Sequence, residues 1–464
     1  MNEQIALTES TYYILLSLYA PQHGYGIMQQ VEEMSGGRLH LAAGTLYGAL
    51  SAMWDKGWIE QLPVESGSRK KDYRLTEKGR SVLLREVERL RELVNNGNKV
   101  IGGIPWEFIE RLQDMGGGLI EEPLGNVAFE PELYKLCCQR MVLEAGVGLY
   151  MHSYLGGCTT SKDGKVEAVI FQNKNGYEAL SAKVFIDCTG DADLCHFAGV
   201  EMLPDEGKPL QPLSSYFILG GVDTDSPLLQ DAMHHNKQGV NCHCLPVREK
   251  LLAIKDKEGI PEFGGPWFCT TLQRGVVTVN MTRTAADACD NRDYTRAECI
   301  LREQCFQMAE VLRSNFEEFR NCFITGVAPT AGIRETRRIK GLHVMTGEEY
   351  VSAFRYEDSI SRGAHPIDIH VAKGASQNVT FLKTPAYVPY RALVPVAFSN
   401  LLVAGRCLSA DKTAFASMRV QASCMGTGQA AGVAAAQCAS SGLDVRRADT
   451  ALLVSTLREM GAVI

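Results

Sequence analysis

The chain opens with three stretches in which apolar positions recur every three or four residues, the spacing that gathers them on one face of a helix. Thr8 to Tyr19 (TESTYYILLSLY) places Thr8 at the N-cap and ends before the turn Pro21 to Gly24. Tyr25 to Met34 forms a second, shorter helix stopped by Gly36-Gly37, and Ala43 to Lys56 a third stopped by Gly57. The pattern then changes. Trp58 to Pro63 and Lys71 to Leu75 read as strands about the turn Glu65-Ser66-Gly67-Ser68. Thr76 caps a charged helix running from about Glu77 to Val94, with an apolar stripe of Leu83, Leu84, Val87, Leu90, Leu93 and Val94. Three helices, a hairpin and a fourth helix give the order of a winged helix-turn-helix, an α+β module. In that arrangement the third helix would enter the major groove and the hairpin would press on the DNA backbone. Tyr25 and Trp54 are expected in its core.

From Gly102 the pattern differs. Ile104 to Met115 is an amphipathic helix closed by Gly116-Gly117-Gly118, and Pro131 to Glu144 is another, followed by a strand-like Leu149 to Ser153. Lys165 to Gln172 and Tyr177 to Ala182 form a hairpin about Asn173-Lys174-Asn175-Gly176. Ala182 to Gly190 (AKVFIDCTG) is an apolar strand that leaves abruptly through Thr189-Gly190-Asp191, with a glycine where close backbone approach to a ligand would be needed. Asn400 to Arg406 (NLLVAGR) is a second such unit, and a helix is expected to begin at Gly426-Thr427-Gly428. A glycine-rich helix start would offer unpaired N–H groups to an electron-rich ligand edge. The run Gly426 to Ala431 also fits G-x-G-x-x-A. No strand precedes it and no acidic strand end lies about 20 residues on, so it is not read as a dinucleotide fingerprint.

Length and charge narrow the picture. At 464 residues, 45% hydrophobic and 22% charged, the chain reads as a soluble protein of two or three domains. The net charge of −7 excludes wholesale nucleic-acid coating, yet it is unevenly placed. Residues 1–100 hold 12 basic and 12 acidic side chains, and residues 69–80 (RKKDYRLTEKGR) hold six basic and two acidic. A basic wing on a neutral domain suits DNA. No run of about 18 apolar residues is present and the first ten residues lack signal character, so no membrane span or export is expected. The 15 cysteines include no C-x-x-C pair, which points to reduced thiols, a cytoplasmic location and no metal site.

Two resemblances add to this reading. HGYGIMQQV (23–31), GTLYGALSAMWDKGWIE (44–60) and YRLTEKGR (73–80) resemble the PadR family across essentially all of residues 1–100. That resemblance implies a dimeric DNA-binding regulator, with Thr45 and Tyr47 facing the bases and Arg69, Lys70 and Lys71 facing phosphates. It also implies a homodimer made partly through helix 77–94.

IPWEFIERL (104–112), KVFIDCTGDADL (183–194), GIRETRRIKG (332–341), HPIDIH (365–370), VPYRALVP (388–395), NLLVAGRCLSA (400–410) and SMRVQASCMGTGQAAGVAAA (417–436) are similar to the FAD-dependent oxidoreductases of the FAD_oxidored group, related to the flavin subunit of heterodisulfide reductase. The resemblance implies an α/β Rossmann-like FAD domain over 101–204 and 386–464, with a substrate domain inserted at 205–385. Hydride would pass through the flavin, to or from an unidentified small molecule. Gly190 and Asp191 would lie near the FAD phosphate and ribose. Gly405 and Arg406 would line the ribityl side, and Gly426, Thr427, Gly428 and Gln429 the pyrimidine edge. Arg334, Arg337, His365 and His370 are the catalytic candidates, the histidines as general acids. An Arg–Glu335 structural ion pair is the bland alternative for the arginines. Iron–sulfur binding is implied by the distant relatives alone, and the cysteine spacings do not support it.

The match has one departure. Such proteins open with a strand, a G-x-G-x-x-G turn and a helix. Here LRELVNNGNKVIGG passes straight into GGIPWEFIERL, and no such unit precedes it. The expected FAD site is therefore incomplete, its sheet should expose apolar edges, and the rival reading is a PadR-type regulator with a ligand-sensing or inactive flavoprotein region.

Overall fold

Leu46, Leu50 and Met53 fall at helical spacing and are almost wholly buried, which fixes the inner face of the third helix. They meet Ile14, Leu15 and Leu18 from the first helix and Ile27 and Val31 from the second. The computed structural model describes residues 9–35, 37, 39–63, 71–83, 99–121, 126–204, 209–229, 245–270, 272–371 and 377–464. It comprises two compact units, Met1–Lys99 and Val100–Ile464.

The first unit runs α1 (Glu9–Ser17), β1 (Gln22–His23), α2 (Gly24–Met34), α3 (Ala43–Asp55), β2 (Ile59–Gln61), β3 (Asp72–Leu75) and α4 over residues 77–83. The strands form an antiparallel sheet in the order β1-β3-β2, so a two-residue strand is added to the expected hairpin. Thr8, the expected cap of α1, and residues 64–70 of the wing turn, with Arg69 and Lys70, lie outside the described residues. Of the stripe on the fourth helix, Leu83 alone is described, and it is buried in the unit's own core. Tyr25 and Trp54 are not core residues: they are 64% and 47% exposed. Each sits one helix position off the inward face, whose places are taken by Ile27 and Val31 on α2 and by Leu50 and Met53 on α3.

The second unit begins with α5 (Ile104–Asp114), the hairpin β4 (Gly118–Glu121) and β5 (Asn126–Phe129), and α6 (Pro131–Glu144). An antiparallel meander follows: β6 (Tyr154–Thr160), β7 (Val166–Asn173) and β8 (Gly176–Leu180). Next come β9 (Phe185–Asp187) and the short α7 (Asp193–Ala198). A four-stranded antiparallel sheet, β11-β12-β10-β13, is built from β10 (Tyr216–Gly220), β11 (Phe263–Thr270), β12 (Val277–Thr282) and β13 (Phe323–Val327). It packs with α8 (Leu245–Ile254) and the long α9 (Asn291–Asn315) around its own core of Phe217, Phe263, Met308 and Phe319. Asp290 caps α9 by accepting from the amides of Arg292 and Asp293.

The chain then returns through α10 (Gly347–Val351), β14 (Ser359–Gly363), β15 (Ile367–His370), β16 (Gln377–Thr380), β17 (Ala386–Pro389) and β18 (Leu401–Val403). It ends in α11 (Lys412–Met418), α12 (Gln421–Ser441) and α13 (Thr450–Glu459). β18 pairs in parallel with β9, Leu402 opposite Ile186, although some 200 residues separate them in sequence. Among the described residues this parallel sheet has two strands.

Two expectations fail here. Leu149–Ser153 is not a strand. His152 has a φ of 55°, outside the extended region, and among the described residues no strand pairs with this stretch. Leu149, Tyr150 and Met151 stand between 42% and 63% exposed as a result. The helix at Gly426 begins five residues earlier, at Gln421, with Val420 as its N-cap. Gly426, Thr427 and Gly428 therefore lie inside α12, where their amides bond to carbonyls one turn back and are not free for a ligand.

Candidate functional site

Both parallel strands end at the same level, so the loops after Asp187 and Val403 are brought together. Asp187 is buried and fully engaged: Oδ1 accepts from the amide and hydroxyl of Thr189 at 3.0 and 2.8 Å, and Oδ2 from the amide of Cys195 at 2.9 Å. This carboxylate folds the exit loop back on itself and carries Gly190 and Asp191 to the mouth between the strands. Asp191 Oδ1 accepts from Arg406 Nη2 at 2.9 Å and from the Thr336 hydroxyl at 2.6 Å. Sequence reasoning set Gly190 aside for a ligand, but the structure gives another reason for it. With φ at +82°, an added Cβ would stand 2.6 Å from Arg406 Nη2. Replacing Gly190 with Ala is expected to destabilise the second unit by about 1–2 kcal/mol from left-handed backbone strain, and by more if Arg406 is displaced. Chemical denaturation of the full chain checks this, and an unchanged midpoint for the second unit would contradict it.

On the other side of the mouth, the Gly405 amide donates to Thr427 Oγ1 at 3.1 Å, and that hydroxyl donates to the carbonyl of Cys424 at 2.9 Å. The Thr427 hydroxyl is thus spent on fixing the loop after β18 to α12. Gln429 Oε1 accepts from the Ile104 amide at 3.1 Å, while its Nε2 is buried without a partner. Gly428 has open space where a side chain would stand, whereas Gly426 is pressed against Ser361. A solvent-open cleft lies here, lined by Gly102, Pro105, Ser361, Arg362, Gly426 and Gln429.

The catalytic candidates separate into two places. Arg337 pairs with Asp193 on α7. Arg338 lies 3.8 Å from Glu335, which also meets Lys412 at 3.3 Å. Arg334 is different: it is 9% exposed, and its Nη1 donates to the Pro212 carbonyl at 2.6 Å and to Ser214 Oγ at 2.8 Å. It belongs to a cluster with Arg283, Arg419, Asp368 and His370, whose fields act on one another. His370 Nδ1 lies 2.9 Å from Arg283 Nη2 and its Nε2 2.8 Å from Asp368 Oδ2. A guanidinium only donates, so Nδ1 accepts and Nε2–H donates to Asp368. Burial holds His370 neutral, pushing its pKa down to about 4. With both nitrogens engaged, His370 is not placed to act as a general acid. His365 Nδ1 donates to the Pro366 carbonyl at 2.7 Å, and burial lowers its pKa. Neutral in that tautomer, it presents Nε2 as a proton acceptor, the reverse of the expected role.

Sequence reasoning passed over Asp368, Arg419 and Arg283. Asp368 was findable, since it and His370 stand two apart on a strand and share a face. Among the described residues no group of side chains could hold a metal, and the described cysteines are all free thiols.

On the first unit, Thr45, Tyr47 and Lys71 are exposed, Tyr47 by 54%. Thr45 and Tyr47 lie on the outer side of α3, opposite Leu46 and Leu50, and nothing lies within 4 Å of where a Gly44 or Gly48 side chain would stand. α3 therefore presents a low-relief, open ridge.

Comparison with known proteins now bears on both units. Residues 14–85 match the model of the transcriptional regulator PadR-like family. A PadR family transcription regulator from Clostridium difficile R20291 is 24% identical over 24% of this chain and 98% of its own, with a TM-score of 0.16. A PadR family transcriptional regulator from Eggerthella lenta DSM 2243 is 27% identical over 19% of this chain and 75% of its own, also with a TM-score of 0.16. RosR of H. salinarum is 21% identical over 20% and 79%, with a TM-score of 0.17. No curated protein matches the chain. Residues 80–459 match the model of the FAD dependent oxidoreductase family, which takes in the parallel strand pair, the mouth between its loops and the arginine cluster. On that match, which spans well over half of its length, the chain belongs to the FAD dependent oxidoreductase family and carries a PadR-like regulator domain ahead of it.

Proposed function

We propose that the chain is an FAD-dependent oxidoreductase unit tethered to DNA by its PadR-like domain, and that its cofactor site is completed by a second polypeptide. The observation that carries this is the state of the parallel sheet. The loop after β18 supplies Gly405, and α12, which packs on it, supplies Gln429 and the open space at Gly428, which fit the ring and ribityl end of FAD. The diphosphate end finds no match among the described residues. The helix after β9 is six residues long and opens with Asp193, and Arg406 is neutralised by Asp191. Asp193 is likewise paired with Arg337, so both cations at that point are already matched by carboxylates and neither carries surplus charge for a diphosphate. When bound, the flavin would supply hydride transfer. This chain's residues 101–204 and 386–464 would hold its ring end, and residues 205–385 would hold the substrate. The test is the absorbance spectrum of the purified chain, alone and after addition of FAD. Stoichiometric flavin bands without any partner would refute the incomplete site.

The outward Thr45 and Tyr47 and the basic wing support base contacts from α3 and phosphate contacts from Arg69, Lys70 and Lys71. The apolar stripe expected over 77–94, of which Leu83 is taken up by the unit's own core, supports a homodimer through its remaining positions. The full chain is expected to sediment at twice its monomer mass, and Val87→Glu combined with Leu90→Glu should shift it to monomer. A concentration-independent monomer in the unmodified chain would overturn the dimer. The rival reading, a regulator whose second unit only senses a ligand, gains support from the spent Thr427 hydroxyl and the engaged Asp191–Arg406 pair.

A further inference from the structure

Four separate segments bring charge to one buried place. Arg283 follows β12, Arg334 follows β13, Arg419 lies between α11 and α12, and Asp368 and His370 belong to β15. Arg283 and Arg334 are 3% and 9% exposed, and the side chains of Arg419 and Asp368 are 12% and 18% exposed. Arg419 Nη2 donates to the Asp368 carbonyl at 3.1 Å and stands 3.8 Å from its carboxylate, while its Nε is buried with no partner. His370 joins Arg283 to Asp368, as described above.

The charges in this cluster do not balance. Arg283 feels Arg248, Asp368 and Glu262, Arg419 feels Asp368 and Glu335, and Arg334 feels Asp368 together with the cations Arg419 and Arg283. His370 is neutral, and Glu335 is shared between Arg419, Arg338 and Lys412, so cations outnumber carboxylates here. Burial and the neighbouring Arg419 lower the Arg334 pKa to about 10, which leaves it charged at neutral pH. A buried cation in excess is costly unless an anion joins it. A guanidinium presents its donors in a planar fork that matches the two oxygens of a carboxylate. Trp267, edge-on to His370 at 5.8 Å between ring centres, adds an apolar wall beside the cations. We propose that Arg334 and Arg419, with Arg283 beside them, form the binding site of a small organic carboxylate. That this carboxylate is the substrate of the oxidoreductase unit rests on the function proposed above, whereas its binding does not.

The full chain, free of FAD, is titrated with succinate and, separately, with succinamide of the same shape and no charge. Tryptophan fluorescence reports through Trp267, and calorimetry reports independently of it. Succinate is expected to bind saturably and succinamide not at all. Arg334→Gln and Arg419→Gln should each weaken succinate at least tenfold, or ~1.4 kcal/mol. Arg334→Lys keeps the charge without the fork and should fall between, which guards against a variant that fails to fold. Trp267→Phe should remove the optical signal and leave the calorimetric one. Equal binding of succinamide, unaltered affinity in the two Gln variants, or no saturation by succinate would each overturn the site. Tighter binding of inorganic pyrophosphate than of succinate would also overturn it, by assigning the arginines to a phosphate group. Because FAD is absent throughout, a failure here leaves the cofactor reading standing, and the reverse holds for the FAD titration.

Discussion

Titrated with FAD, the unmodified chain is expected to bind on the order of 10³-fold or more weakly than the same chain supplied with a dinucleotide-binding β-α-β unit. Much of the affinity for a doubly charged diphosphate comes from amides at a helix N-terminus aimed at its oxygens. Two or three such charge-assisted hydrogen bonds are worth roughly 1.5–3 kcal/mol each, and every 1.4 kcal/mol is about tenfold. The groups present do not replace them. The cations at the place are already matched by carboxylates, Arg406 by Asp191 and Arg337 by Asp193. The comparison is made by flavin fluorescence, with the unit joined ahead of Gly102 or added as a separate polypeptide. Submicromolar binding by the unmodified chain would show that the cradle is not missing. Recovery by the added unit would instead show that the diphosphate cradle is the part of the site this chain lacks.

Replacing Arg69, Lys70 and Lys71 together with Ala is expected to weaken DNA binding across all sequences. The slope of log affinity against log salt should flatten by about 0.9 for each phosphate that is no longer neutralised. At moderate salt that is a drop on the order of 10²-fold or more for three phosphates. Tyr47→Ala should behave differently. Its ring is exposed on the outer side of α3, so its removal should cost about 1–3 kcal/mol at a specific site and little on random DNA. Fragments selected from random sequence by the unmodified chain supply the site, and gel retardation reads both effects. Retardation unaltered in the triple variant would remove the wing from the interface.

Local chemistry made the first unit readable. Leu46, Leu50 and Met53 repeat at helical spacing, Gly57 stops the helix, and the residues that pair to form the wing are close in sequence. The same holds for α6, which the sequence bounded at Pro131 and Glu144 as observed. Reading failed where a residue's neighbour was distant. Trp54 looked like core because it is large, but the inward places on α3 were already filled. Leu149–Ser153 has strand character, but a strand exists only with a partner to take its N–H and C=O groups, and among the described residues none does. The glycines at 426 and 428 suggest a helix start with free N–H groups; in the fold Gly426 lies inside α12, pressed close to Ser361 on β14.

The helix faces, the stops, the two sets of family motifs and the lack of a G-x-G-x-x-G turn follow from the order of amino acids alone, because each is a property of residues within a few positions of one another. Which of them meet was settled by folding. It joined β9 to β18 across some 200 residues, turned Arg337 toward Asp193 and Arg334 toward Arg419, and fixed the tautomer of His370 between Arg283 and Asp368. The physical reason is that charge interactions and hydrogen bonds depend on distance in space, to which separation along the chain is no guide.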